Sequence, residues 1–166
     1  MALLQFWGRE REPPDPGTLV VKSLLLASEG RAIVPEAIDL AATIARKSGA
    51  DVRVISIARV WGAAFGLPNP SLMPNKREWE EQRSLVADAV KSLRRRDIKA
   101  AGTVVGTRNA ARKIVAEAKG HGCGAIIMAA DGPRHWLVAN LLWSNEPYRV
   151  RRMATVPVYL VIVTRT

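Results

Sequence analysis

The sequence has almost no cysteine or histidine. One cysteine, Cys123, and two histidines, His121 and His135, stand among 166 residues. A single thiol excludes an internal disulfide and fits a reducing compartment. Neither histidine sits in a cluster with metal-ligand spacing, and Cys123 reads as a small buried residue rather than a nucleophile. No apolar run is long enough to span a bilayer. The opening "MALLQFWGRE" meets charge too early for a signal peptide, so a cytoplasmic protein is expected, at most peripheral at the inner face of the membrane. The glycine-lysine phosphate loop and the Rossmann glycine triplet are both missing. No nucleophile–base pair and no paired carboxylates can be placed, so an enzyme is not expected.

Acidic residues are scarce in the second half. Residues 1–90 carry 11 basic and 11 acidic side chains, and residues 91–166 carry 14 and 4, so the whole excess of +10 lies there. Such a field attracts phosphates, acidic proteins or anionic lipid heads without choosing among them. Nucleic acid ranks last as a partner, despite a pI of 10.6. No recognition motif or aromatic–basic interleaving supports it.

Hydrophobic residues make up 48% of the chain, enough for one domain with a core. Residues 1–17 divide into an apolar tip, "MALLQFWG", and a charged, proline-rich linker, "REREPPDPG". The domain proper is expected over 18–166. Strands are expected at 18–27, 51–60, 98–107, 125–130 and 156–163. Helices are expected at 34–47, at 77–95 with Trp79, Val86, Val90 and Leu93 on one face, from Asn109 to Gly120, and between 136 and 154. Alternation of strand and helix implies an α/β fold with an open, mostly parallel five-stranded sheet and helices on both faces. Ligands of such sheets bind beyond the C-terminal strand ends. Three loops qualify: "ASEGR" at 27–31, the 16-residue stretch 61–76, and "AADGPRHW" at 129–136.

At "LLLASEG", "GAIIMAADG" and "RVRRMATVPVYLV", the chain resembles the universal stress protein family from about Val20 to Val163. The resemblance implies strand order 3-2-1-4-5, an adenine-nucleotide alpha-hydrolase-like fold and dimerisation. It also implies a division into members that bind ATP and members that do not. ATP-binding members carry a loop G-x-x-G-x9-G-S/T, whose glycines let backbone approach phosphate and whose last residue opens a helix. By that resemblance the nucleotide-side positions are Ala27, Glu29, Ala129, Gly132, Arg134, Trp143 and Ser144. Several depart from the pattern. Ala129 stands at the first glycine, Trp143 at the third, one residue late, and Glu29 replaces the commoner aspartate. Glu146, in the next helix turn, would repel phosphate. Ser144 can still cap that helix, Pro147 is tolerated in its first turn, and Arg134, Arg149, Arg151 and Arg152 could supply positive charge.

A degenerate nucleotide site is therefore expected, with no resident cofactor; bound ATP is the alternative. The leading functional expectation is a regulatory or adaptor domain that binds a protein partner, a membrane transporter or channel among the candidates. A sensor of ATP or a cyclic nucleotide is second. A homodimer is expected through Val156 to Val163, a long apolar edge strand. Leu3, Leu4, Phe6 and Trp7 are expected to dock on a membrane protein or a bilayer surface, with folding back onto the domain as the alternative.

Overall fold

The computed structural model describes residues 12–59, 76–131 and 146–163. The apolar tip and most of the 61–76 loop lie outside these residues. So do Gly132, Arg134, Trp143 and Ser144.

Nine elements alternate along the described chain: β1 (Ser23–Ser28), α1 (Pro35–Ser48), β2 (Asp51–Arg59), α2 (Lys76–Arg94), β3 (Ala100–Thr107), α3 (Ala110–Gly120), β4 (Ala125–Asp131), α4 (Glu146–Met153) and β5 (Val158–Val163). The strands form one sheet of order β3-β2-β1-β4-β5. Every pairing is parallel. The innermost strands explain their own place. "LLLA" of β1 and "AIIMAA" of β4 are continuously buried, as strands covered on both faces must be.

Side chains of period two divide the core. Leu24, Leu26, Val52, Val54, Ala125, Ile127 and Tyr159 face α1 and α2. Leu25, Ala27, Ile55, Ile57, Ile126, Met128 and Val158 face α3 and α4. Each buried leucine or isoleucine contributes about 1.5–3 kcal/mol through area removed from water. The helices meet the sheet with small residues: Ala37, Ala41 and Ala45 of α1, and Ala110, Ala111 and Ala118 of α3. Pro35 opens α1, and Gly49 closes it in the left-handed conformation, its N–H reaching Ala45 O. Asn109 caps α3 as its position suggests, Oδ1 accepting from Arg112 N at 3.2 Å.

Some boundaries differ from the sequence expectation. The first strand begins at Ser23 rather than 18, because Asp15 folds the preceding chain into a turn. Its backbone O accepts from Thr18 N at 2.9 Å, and its Oδ1 accepts from Gly17 N at 2.6 Å. Leu19 and Val21 still pack on the core from outside the sheet. The proline-rich stretch is tied to the domain at Pro14, whose O accepts from Tyr159 Oη at 2.8 Å. On α2, Val86 and Leu93 are buried as expected, whereas Trp79 and Val90 are only half-buried.

Candidate functional site

The order of strands reverses between β1 and β4, and there the C-terminal ends open a crevice. The turn after β1 is built by Ser28. Its hydroxyl donates to Arg31 O at 2.6 Å and accepts from Gly30 N at 3.1 Å. Gly30 has φ +112°, which a side chain would strain. This turn sends the Glu29 carboxylate inward, where it is 3% exposed.

Burying a charge is costly unless it is paired. Arg31 supplies the partner. Its Nε meets Glu29 Oε1 in close contact, and its Nη1 lies 3.0 Å from Asp131 Oδ2 at the end of β4. One guanidinium thus bridges the two strands that flank the switch point. Gln82 of α2 completes the rim, donating to Gly30 O at 3.2 Å while accepting from the buried Ser56 hydroxyl. Among the described residues, Ala27, Ser28, Glu29, Arg31, Val34 and Ala129 line this end of the crevice.

The other wall is α4. Tyr148 Oη donates to Asp131 O at 2.7 Å and fixes the helix to the strand end. Glu146 does something its position did not suggest. Its Oε2 accepts from Ala111 N at 2.8 Å, so it caps the start of α3, and its Oε1 pairs with Arg149 at 2.7 Å. A carboxylate at a helix N-terminus is favourable, and here it joins α3 and α4.

The candidate residues can now be placed. Ala27 and Ala129 are buried at the ends of β1 and β4. Ala27 pairs across with Met128, and Ala129 pairs with Val161 of β5. Glu29 lies beside them under the Arg31 clamp. Arg149 is engaged by Glu146, Arg152 is exposed, and Arg151 is partly buried with partners of its own. Sequence reasoning passed over Arg31, Asp131 and Gln82. Arg31 and Asp131 stood inside two of the loops singled out, but nothing local marked them as a pair. Chemically, one guanidinium serves two carboxylates and offsets part of their charge within the protein. An incoming phosphate would meet two carboxylates already committed to one guanidinium.

A five-stranded parallel sheet with its crevice between β1 and β4 defines a doubly wound α/β domain. The model of the universal stress protein family matches residues 21–161, and the chain belongs to that family. The fold recurs in a universal stress family protein from Burkholderia pseudomallei, at 21% identity, TM-score 0.62, with 84% of this chain and 95% of that one covered. A universal stress protein from Archaeoglobus fulgidus, solved in complex with dAMP, gives 18%, 0.59, 86% and 98%. A further universal stress protein structure, solved in complex with cAMP, gives 14%, 0.64, 88% and 100%. No curated protein matches the chain.

Proposed function

We propose that the chain is a regulatory adaptor that acts by binding a protein partner, and that its nucleotide crevice is closed from within. The observation that carries this reading is the Arg31 bridge between Glu29 and Asp131, at the place where such sheets receive ligands. A ligand seated against Glu29 would have to displace the guanidinium from that buried carboxylate.

The same reading takes the protein as a cytoplasmic homodimer. Val156 to Val163 ends in the edge strand β5, which carries no charge and exposes Ile162. Among the described residues no helix is long and apolar enough to cross a membrane. Membrane contact therefore falls to the tip, with Leu3, Leu4, Phe6 and Trp7 docking on a membrane protein or lipid surface. Deleting residues 1–8 should abolish that association without changing the melting temperature; a lower melting temperature would place the tip in the core.

A second reading, a nucleotide sensor, draws support from the relatives solved with dAMP and cAMP. Gentle purification from native cells separates the two. A co-purifying protein with no bound nucleotide supports the adaptor. Stoichiometric nucleotide supports the sensor.

A further inference from the structure

The far edge of the sheet carries a groove of about 500 Å³ between α2 and β3. Its walls are Trp79, Arg83, Val90 and Arg94 on the helix, with Gly102 and Val104 on the strand. Gly102 makes the groove by letting the helix come close. A Cβ there would stand 2.2 Å from Val86 Cγ1 and 2.9 Å from Val90 Cγ2.

β3 is an open edge. Among the described residues only β2 pairs with it. Val52 N donates to Lys99 O at 2.9 Å, which sets the ladder phase. By the alternation of a parallel ladder, the N–H and C=O of Gly102, Val104 and Gly106 face outward. Arg94 confirms the direction, its Nε donating to the outward Ala100 O at 2.9 Å. Over eight residues, "AAGTVVGT", the strand holds no charge and no proline, the devices that usually keep an edge from pairing.

Charge is sorted along α2. The helix has four carboxylates, Glu78, Glu80, Glu81 and Asp88, and none lines the groove. The groove wall instead carries two guanidiniums, Arg83 and Arg94. Arg83 is exposed and makes no ion pair with any described residue.

We infer that this groove receives an extended acidic peptide segment of a partner protein, added as a sixth strand on β3. This deepens the adaptor reading and rests on it. The outward amides of Gly102, Val104 and Gly106 supply the main-chain ladder. Arg83 and Arg94 select acidic side chains on the face toward α2, and Trp79 and Val90 pack against the methylene stems of those side chains.

The test uses the full-length protein and a blocked peptide, acetyl-EVETEVE-amide, with a lysine-for-glutamate version as control. Binding is followed by amide chemical shifts. The glutamate peptide should move the Gly102, Val104 and Gly106 amides saturably, and the lysine peptide should not. Arg83→Glu, an exposed change, should weaken binding about tenfold or more. Gly106→Pro removes one outward N–H without touching the ladder to β2 and should weaken it comparably. Absence of saturable shifts, equal binding of the lysine peptide, or indifference to Arg83→Glu would overturn the proposal. So would shifts at these amides that depend only on protein concentration, which would make the groove a contact between copies. If the peptide fails while a partner still co-purifies from native cells, the groove alone is wrong. Bound nucleotide and no partner would overturn the adaptor reading itself.

Discussion

The crevice between β1 and β4 and the groove beside β3 hold their polar groups in opposite states. In the crevice Arg31 is paired with both Glu29 and Asp131. In the groove, among the described residues, Arg83 makes no ion pair and only β2 pairs with β3, beside a volume of about 500 Å³. Both regions lie on one rigid sheet, and Gln82 and Arg83 are adjacent residues of α2. Gln82 turns inward to close the rim of the crevice, and Arg83 turns outward to line the groove. On the adaptor reading, the place where doubly wound sheets hold ligands is taken up by the protein's own charges, and recognition falls to the margin.

The largest way to break this comparison is Arg31→Ala. It leaves the Glu29 carboxylate buried without its cation, and stability should fall on the order of 3 kcal/mol, read from denaturant midpoints at constant slope. A change under about 0.5 kcal/mol would mean that the bridge does not hold the crevice. Glu29→Gln in the Arg31→Ala background should recover part of the loss, because the stranded charge is gone.

Gly102→Ala tests the groove from the other side. The added methyl meets Val86 and Val90, and overpacking of this kind costs about 1–3 kcal/mol. It should push α2 away from β3, and the amides of Ala100 to Val104 should report the shift while Gly30 stays in place. Movement at Gly30 would show that crevice and groove are coupled through α2.

A smaller effect is expected at the opposite edge. Tyr159→Phe loses the hydrogen bond to Pro14 O and should cost about 1 kcal/mol, with faster amide exchange in residues 15–18. Burial, with the nearby Asp15 charge, raises the Tyr159 phenol above its ordinary value of 10.0. A raised pKa means that the contribution is complete below about pH 10 and is lost as pH climbs beyond it. Melting curves from pH 9 to 11.5 should show wild type and Tyr159→Phe converging.

The smallest effect serves as a control. The Glu117 carboxyl is held below its ordinary value of 4.5, first by the hydrogen bond from Lys113 and also by His121, against burial that acts the other way. A lowered pKa gives stability present above pH 4.5 and lost as pH falls below it. Glu117→Gln should flatten that acid limb by about 0.3–0.5 kcal/mol, leaving crevice and groove untouched.

The sheet was legible in the sequence because its evidence is local. "LLLA" and "AIIMAA" announce two-face burial, and Gly49 and Asn109 mark helix ends within a few residues of their effect. Gly102 sits in the third strand where α2 comes closest, and its missing Cβ leaves room for Val86 and Val90. The Arg31–Asp131 contact joins residues 100 positions apart, so no window of sequence contains it. Tyr159 and Pro14 are 145 positions apart. Glu146 was read as a repulsive charge beside a ligand because chain neighbours suggested it. In space its neighbour is the start of α3. The distant pairs decide whether the crevice is open, and only the fold shows them.

The most direct test of a closed crevice is a titration of the wild-type protein with ATP, followed at the Gly30 amide and the Gln82 side-chain amide. Both groups sit on the crevice rim and are fixed by hydrogen bonds to the turn that carries Glu29 and Arg31. The account predicts that neither resonance moves up to millimolar ATP. Saturable shifts of both at micromolar ATP would show that the guanidinium yields to nucleotide and would contradict it.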